Sequence, residues 1–349
     1  MSRTLRTIAG VFALAAATLC VLCEAEADTL QLEAAEQRAF QEAAEVGASL
    51  TVRIEVAGET GAVEDQDAGG TSTGLVVGRD GWIVTSAFAV TPGTAGVIVV
   101  LPDGSRHAAR VVGSDPPRKV VLLKIEPPRP LAEPVPAAKA GLRVGQWTIG
   151  LGRAWGGAEP AVAVGVLSAV DRSWGRGVQT DASVSPANYG GPLLDIQGRV
   201  IGMLAPLPAE SAGMVTGSEL YDAGSGVAVP LEDILAVLPR MQTGETLAEG
   251  ILGISYASRD VMTGLPVIAT SRPGSPAAKA GIREGDQLIA VNDTPVDRIA
   301  AVRHQLAVRY AGDTVTLTLQ RGAGDQQSTR RVEATLVDAL PPYQRPMLG

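Results

Sequence analysis

The sequence predicts a mainly β protein of two domains, and three observations carry that prediction. Short apolar runs recur through the middle of the chain, separated by Asx-Gly or Pro-containing breaks. Glycine (41) and proline (23) are plentiful while aromatics are scarce (four Trp, five Tyr, three Phe), a balance that suits turn-rich sheets built from Val, Leu and Ala. The length, 349 residues, exceeds one small module, and an apolar content of 46% is ample for a core. The charges, 29 basic against 37 acidic for a net of −8, include no long Lys/Arg run, which argues against an electrostatic nucleic-acid binder.

Residues 1–27 read as an export signal. Arg3 and Arg6 supply a positive start, Ile8 to Cys23 is uncharged and mostly apolar, and Ala25-Glu26-Ala27 offers the small-x-small pattern that a signal peptidase needs. An uncleaved membrane anchor is the alternative, since the run is slightly short of a bilayer span. Cys20 and Cys23 have CxxC spacing but lie inside this run, so neither a redox nor a metal role is expected of them. The expected location is outside the cytoplasm, periplasmic or extracellular.

From Asp28 to about residue 48 an Ala/Glu-rich stretch reads as a helix. Asp28 or Thr29 is its N-cap, Gly47 its stop, and Leu30, Leu32, Ala35, Phe40 and Ala44 are its inward contacts. Leu50 to Val56 alternates apolar and polar residues, as a half-buried strand does, and Ala57 to Gly70 reads as a mobile loop. Two hairpins follow, Leu75–Val77 with Trp82–Val84 around Asp80-Gly81, and Val97–Leu101 with Ala108–Val112 around Asp103-Gly104. Asx-Gly is the residue pair that a type I′ turn favours, because both central positions need positive φ. Further strands are expected at Val120–Ile125, Trp147–Leu151, Ala163–Ala169 and Val200–Leu204, a spacing that indicates an antiparallel barrel or sandwich over 49–240. Met241–Ala248 reads as a polar linker. A smaller domain over 249–340 mixes strands with two short helical patterns, and 341–349 is expected to be an extended tail.

With the elements in place, four motifs in order from Gly74 to Pro230 resemble the HtrA/Deg family of exported trypsin-like serine proteases. They are Gly74–Thr85, the stretch from Asp103-Gly104 through Gly113–Asp115 to Leu122–Ile125, Gln179–Asp195, and Gly226–Pro230. In the second domain, Leu252-Gly253-Ile254, Ser275–Gly281 and Gly285–Asn292 resemble a PDZ domain. The resemblance implies a trypsin-like double β-barrel followed by an α+β PDZ domain. It also implies peptide binding, with Leu252, Gly253 and Ile254 as the loop that caps a peptide terminus and a strand added to the sheet edge. No cofactor and no metal is implied, and no HExxH, Cys/His cluster or P-loop occurs in the chain.

Acyl transfer in such a family needs a hydroxyl nucleophile, an imidazole base and a carboxylate to orient the base. Carried over motif by motif, the base position is Phe88, the carboxylate position is Lys119, and the nucleophile position is Tyr189. The glycine expected two residues before the nucleophile is Ala187. Phe88 accepts no proton, Lys119 brings a cation where an anion is required, and Tyr189 has a phenol of pKa about 10 on a ring that crowds the scissile carbonyl. Loss of triad members removes about four to six orders of magnitude of rate. The chain holds two histidines, His107 and His304, and both read as solvated surface residues. Ser183 and Ser185 read as ordinary loop residues, and a Lys119–Tyr189 pair that lowers the phenol pKa is the one conceivable substitute.

The resemblance therefore implies a catalytically degenerate homologue that binds polypeptide as chaperone, scaffold or regulator in protein quality control. An active HtrA-like relative is an implied partner, and assembly is into a homo-oligomer, a trimer by resemblance. Two alternatives stand beside it: an active serine-type endopeptidase of the same family, and a structural component of the cell envelope.

Overall fold

The computed structural model describes residues 31–56, 71–155, 159–207, 226–322 and 327–339. The apolar run at 8–23, the expected N-cap at Asp28 or Thr29, the loop at 57–70 and the tail lie outside the described residues. No helix among the described residues is long and apolar enough to cross a membrane.

A helix, α1 (31–50), leads into seven strands: β1 (Thr51–Val56), β2 (Thr71–Gly78), β3 (Trp82–Ser86), β4 (Val97–Val100), β5 (Arg106–Ala108), β6 (Arg110–Asp115) and β7 (Val120–Lys124). They form one antiparallel sheet of order β5-β4-β1-β2-β3-β7-β6. Six more strands, β8 (Trp147–Gly152), β9 (Ala161–Arg172), β10 (Gly177–Thr180), β11 (Pro192–Leu194), β12 (Val200–Leu204) and β13 (Gly226–Pro230), close a barrel in the order β10-β13-β12-β11-β8-β9. Helix α2 (Leu231–Gln242) follows. The C-terminal domain carries β14 (Ile254–Tyr256), β15 (Ile268–Ser271), α3 (Pro276–Lys279), β16 (Gln287–Val291), β17 (Thr294–Pro295), α4 (Ile299–Ala307), β18 (Thr314–Arg321) and β19 (Ser328–Thr335). Its sheets are β14-β15 and β17-β16-β18-β19.

Each expected strand is present, with physical corrections at the turns. Both Asx-Gly hairpins form, but only Gly81 (φ 99°) and Gly104 (φ 83°) take positive φ, so neither is a type I′ turn. Asp103 instead spends its carboxylate on the N–H and hydroxyl of Ser105, an Asx turn that leaves its own φ ordinary. The second hairpin is also shorter than expected, because β5 ends at Ala108 and the chain resumes as β6 against β7.

Helix α1 runs through Gly47 rather than stopping there. Its inward positions are Ala43, Gly47 and Leu50, whereas Leu32 is exposed and Ala35 faces solvent. A Cβ at Gly47 would lie 2.5 Å from the Leu194 side chain. The glycine serves close approach to the barrel, and that packing outweighs its poor helix propensity.

The expected linker is not a linker. Met241 and Leu247 are buried, Ser114 N–H donates to the Glu245 carbonyl, and Leu247 N–H donates to the Ser114 carbonyl. The segment lies along β6 as an added strand-like layer. Helix α2 has no counterpart among the expected elements. Pro239 interrupts its helical pattern, yet burial of Leu231, Ile234 and Met241 holds it in place.

One apolar core joins these parts. It contains Leu75, Val84 and Leu122 from the first sheet, Ile149, Leu151 and Met203 from the barrel, Leu50 from α1, Ile234 from α2, and Tyr310 from the C-terminal domain. Separate cores fill the first sheet and the C-terminal domain.

Candidate functional site

The loop 185–191 of the barrel meets strand β2 of the first sheet, and there the sequence-derived site residues gather. Thr73 is the hinge of this contact. Its hydroxyl donates to the Ala187 carbonyl at 2.7 Å and accepts the Arg153 N–H at 2.8 Å, while its carbonyl accepts the Thr85 hydroxyl at 2.7 Å. Ser72 Oγ and Thr73 N both donate to the Tyr189 carbonyl, at 3.1 and 3.3 Å. Gly190 (φ 91°) leaves no room for a side chain, since a Cβ there would sit 1.9 Å from the Thr73 carbonyl oxygen.

Tyr189 follows a 3₁₀ turn at Pro186–Asn188 and is buried, with 7% of its surface exposed. Its ring meets that of Phe88 edge-on, with centroids 5.5 Å apart and an interplanar angle of 70°. Phe88 is 52% exposed, and its N–H donates to Ser86 Oγ at 3.2 Å. Within the turn, Tyr189 N–H donates to the Pro186 carbonyl at 3.2 Å and Asn188 N–H to the Ser185 carbonyl at 2.9 Å. The N–H of residue 189 is therefore spent inside the loop. Ser185 is absorbed by Asn188, whose Oδ1 accepts both the Ser185 N–H and its hydroxyl, which agrees with an ordinary loop role.

Lys119 enters the same neighbourhood through its backbone. It closes the 3₁₀ turn Pro116–Arg118 in the left-handed region (φ 58°), a conformation that costs a non-glycine residue about 1–2 kcal/mol. Its carbonyl accepts the Ala87 N–H at 2.8 Å. The side chain is exposed, so its ammonium is solvated and screened rather than buried beside the Tyr189 phenol. Phe88 and Tyr189 are thus brought together as a ring pair, Ala187 lies in the turn before Tyr189, and Lys119 joins them through its backbone with its side chain exposed. No imidazole joins them. His107 lies on edge strand β5, where Ser105 Oγ is 3.0 Å from its Nε2. His304 lies on α4. It is not merely solvated as expected, because it lies against Gly175, with Nε2 3.9 Å from Asp171.

Sequence reasoning missed a buried polar cluster between the two domains. Asp115 is 1% exposed and accepts the Arg118 N–H and the Tyr310 hydroxyl. Burial pushes its carboxyl up to about 6 against the opposing charges of Arg118, Arg176 and Arg240. Only the pairing of residues 195 positions apart creates this site, and no local motif signals it.

In the C-terminal domain, Leu252 is buried, Gly253 takes φ 82°, and Ile254 opens β14. The Leu252 carbonyl accepts the Ala277 N–H and the Gly253 carbonyl accepts that of Arg272. Among the described residues, the N–H groups of Leu252 and Gly253 have no acceptor, so both remain available to an anion. No group of residues with metal-ligand character occurs among the described residues.

Comparison with known proteins agrees with this architecture. Residues 72–203 match the trypsin-like peptidase domain family and residues 250–332 the PDZ domain family. A protein of Chlamydia trachomatis named "probable periplasmic serine endoprotease DegP-like" is 31% identical over 71% of this chain and 51% of its own length. One of the same name from Pseudomonas fluorescens is 28% identical over 79% of this chain and 58% of its own. The chain therefore spans about half the length of the curated relatives it matches. Among solved structures, an HtrA-type protease AlgW with a tripeptide superposes with a TM-score of 0.65 at 22% identity, covering 87% of this chain and 98% of that one. The serine endoprotease of Yersinia pestis gives 0.61 at 22% identity, covering 86% and 98%. At that identity the superposition establishes the fold alone.

Proposed function

The chain is a homologue of the HtrA-family serine endoproteases, a trypsin-like domain followed by a PDZ domain, and from that premise we propose that it is a catalytically degenerate member that binds polypeptide without cutting it. The observation that supports this reading is the Phe88–Tyr189 ring pair at 5.5 Å. It stands at the positions that the family motifs reserve for the base and the nucleophile, with a cation at the third. The turn that spends the Tyr189 N–H on Pro186 supports it further, because a spent N–H withdraws an oxyanion donor worth about 3–4 kcal/mol of transition-state stabilisation.

Peptide binding is assigned to Leu252, Gly253 and Ile254. Two free N–H groups before a strand edge are the means by which such domains hold a terminal carboxylate and add a strand. Clients are unfolded chains or an active relative, and the compartment is the periplasm, as the names of the relatives have it. Assembly is assigned to α1 and the barrel face beside it, where Phe40 packs edge-on against Trp147 and Leu32, Val162 and Val164 are exposed. Sedimentation velocity showing a concentration-independent monomer would remove the oligomer from this proposal.

Active endopeptidase is the second reading, favoured by the protease names of relatives up to 31% identical. One experiment separates the two. Casein cleavage is compared between the purified protein and a variant carrying Phe88→His, Lys119→Asp and Tyr189→Ser. The expected result is silence from the parent. Turnover by the parent that survives repurification would overturn the degenerate reading.

A further inference from the structure

The turn between β9 and β10 reaches across to the PDZ domain and builds a second site there. Ser173 (φ 53°), Trp174 (φ 59°) and Gly175 (φ 84°) are three successive left-handed residues. The two non-glycine members cost about 1–2 kcal/mol each, and the neighbouring domain holds the strained turn in place. Arg176 Nε donates to the Ala307 carbonyl at 2.7 Å at the end of α4, and its guanidinium pairs with Glu249 at 2.7 Å. Lys139 Nζ donates to the Gly175 carbonyl at 3.2 Å. So clamped, Trp174 presents its ring to α4, and the Arg303 guanidinium lies over it, 5.8 Å from the centroid.

Trp174, Glu249, Gly250, Arg303, Leu306 and Ala307 enclose a cavity of about 240 Å³. Residues 303, 306 and 307 fall on one face of α4 by helical spacing, and Glu249-Gly250 lead into the Leu252–Ile254 loop. The cavity is therefore lined by residues that adjoin, along the chain, the loop assigned to a peptide terminus. Its charges are unequal in commitment. Glu249 is neutralised by Arg176, whereas Arg303 is exposed and, among the described residues, pairs with no carboxylate and donates no hydrogen bond. Stacking pre-organises the guanidinium while leaving its N–H fork unspent. Its charge also reaches Tyr256 of β14. Burial pushes that phenol up to about 12 while the Arg303 charge pulls the opposite way, so the phenol stays neutral and the guanidinium lies within electrostatic reach of the peptide-binding strand.

We propose that this two-domain cavity is a subsite for an acidic side chain of the bound peptide, with the Arg303 fork, held on Trp174, as the group that takes the carboxylate. The proposal rests on the reading of Leu252–Ile254 as a peptide-terminus loop. Charge complementarity favours an acidic residue here, because a carboxylate accepts charge-assisted hydrogen bonds from the unspent guanidinium fork, a neutral acceptor makes weaker ones and a basic side chain is repelled.

The test uses the intact protein and fluorescein-labelled decapeptides with an apolar last residue and a free carboxylate. Pairs differ only in Glu against Gln at each of the three positions before the last. Fluorescence anisotropy is expected to give, at one of these positions, about tenfold tighter binding of the Glu peptide. That preference should vanish in Arg303→Gln, fall in Trp174→Ala and persist in part in Arg303→Lys. Arg303 is exposed, so its two variants should keep the parent's circular dichroism and melting temperature. Equal affinity for all pairs, or a preference that survives Arg303→Gln, would overturn the subsite and leave peptide binding standing. Failure of every peptide to bind would overturn both.

Discussion

Tyr189, the position that the resemblance assigns to a nucleophile, is buried against Phe88, and substitutions there should be felt in stability before they are felt in chemistry. Tyr189→Ser removes a buried ring and an edge-on aromatic contact, and is expected to cost about 2–4 kcal/mol in a urea titration. The Phe88→His, Lys119→Asp, Tyr189→Ser variant carries that penalty. Any activity it gains should rise further when Ala187→Gly is added, since glycine frees the 3₁₀ turn that spends the Tyr189 N–H. Gly190→Ala should fail to fold or lose more than about 4 kcal/mol, because the added carbon collides with the Thr73 carbonyl oxygen. Asp115 gives a pH signature. An unfolded aspartate titrates near ~4, while burial holds Asp115 at about 6 in the folded protein. Below both values each state carries the proton and the folded state suffers nothing. As pH rises from about 4 to 6 the unfolded chain releases its proton first, and stability falls by roughly 2–3 kcal/mol before levelling off. Asp286 has the opposite slope: burial works against its charge, but hydrogen bonds from Arg321 and the Arg283 N–H hold it below the usual range. The difference between parent and Asp115→Asn unfolding curves over pH 4–7 isolates the Asp115 contribution. A constant difference would refute it.

At the scale of elements, the barrel and the PDZ domain are joined by the 173–176 turn and by the 241–248 segment. Arg176 fixes the turn to the PDZ domain, since it caps the last turn of α4 and pairs with Glu249, just beyond that segment. Arg176→Ala should cost about 1–2 kcal/mol and speed proteolytic cleavage between residues 243 and 250, measured by mass spectrometry of limited digests. Strands β2, β3, β7, β8 and β12 were legible because short apolar runs bounded by turn residues are a property of the local chain. Helix α2 was not, because Pro239 interrupts its pattern and its stability comes from burying Leu231, Ile234 and Met241. The 241–248 segment was misread for the same kind of reason. Its composition is polar, but the backbone pairing with Ser114 and the burial of Leu247 depend on β6, more than a hundred residues earlier.

For the whole molecule, the presence of Tyr310 in the core shared by both sheets ties the PDZ domain to the catalytic-type fold. Its hydroxyl donates to Asp115, and Arg118 and Arg240 lie over its ring at 5.1 and 5.5 Å. The intact protein is expected to unfold in one calorimetric transition, and Tyr310→Ala should split it into two by uncoupling the PDZ domain. A single unchanged transition in the variant would refute the coupling.

The sequence by itself determined the mainly β fold, the order of its two domains, and the residue types at 88, 119, 187 and 189. Local periodicity, turn chemistry and motif order are written along the chain and need no partner to be read. The tertiary structure alone decided that Phe88 and Tyr189 meet as rings, that the Tyr189 N–H is spent on Pro186, and that Asp115 and Tyr310 share a buried contact. It alone brought Trp174 beneath Arg303 across two domains. Apart from the local Tyr189–Pro186 turn, these are contacts between residues far apart in sequence, and such contacts exist only once the loss of chain entropy is offset by the burial of a common core.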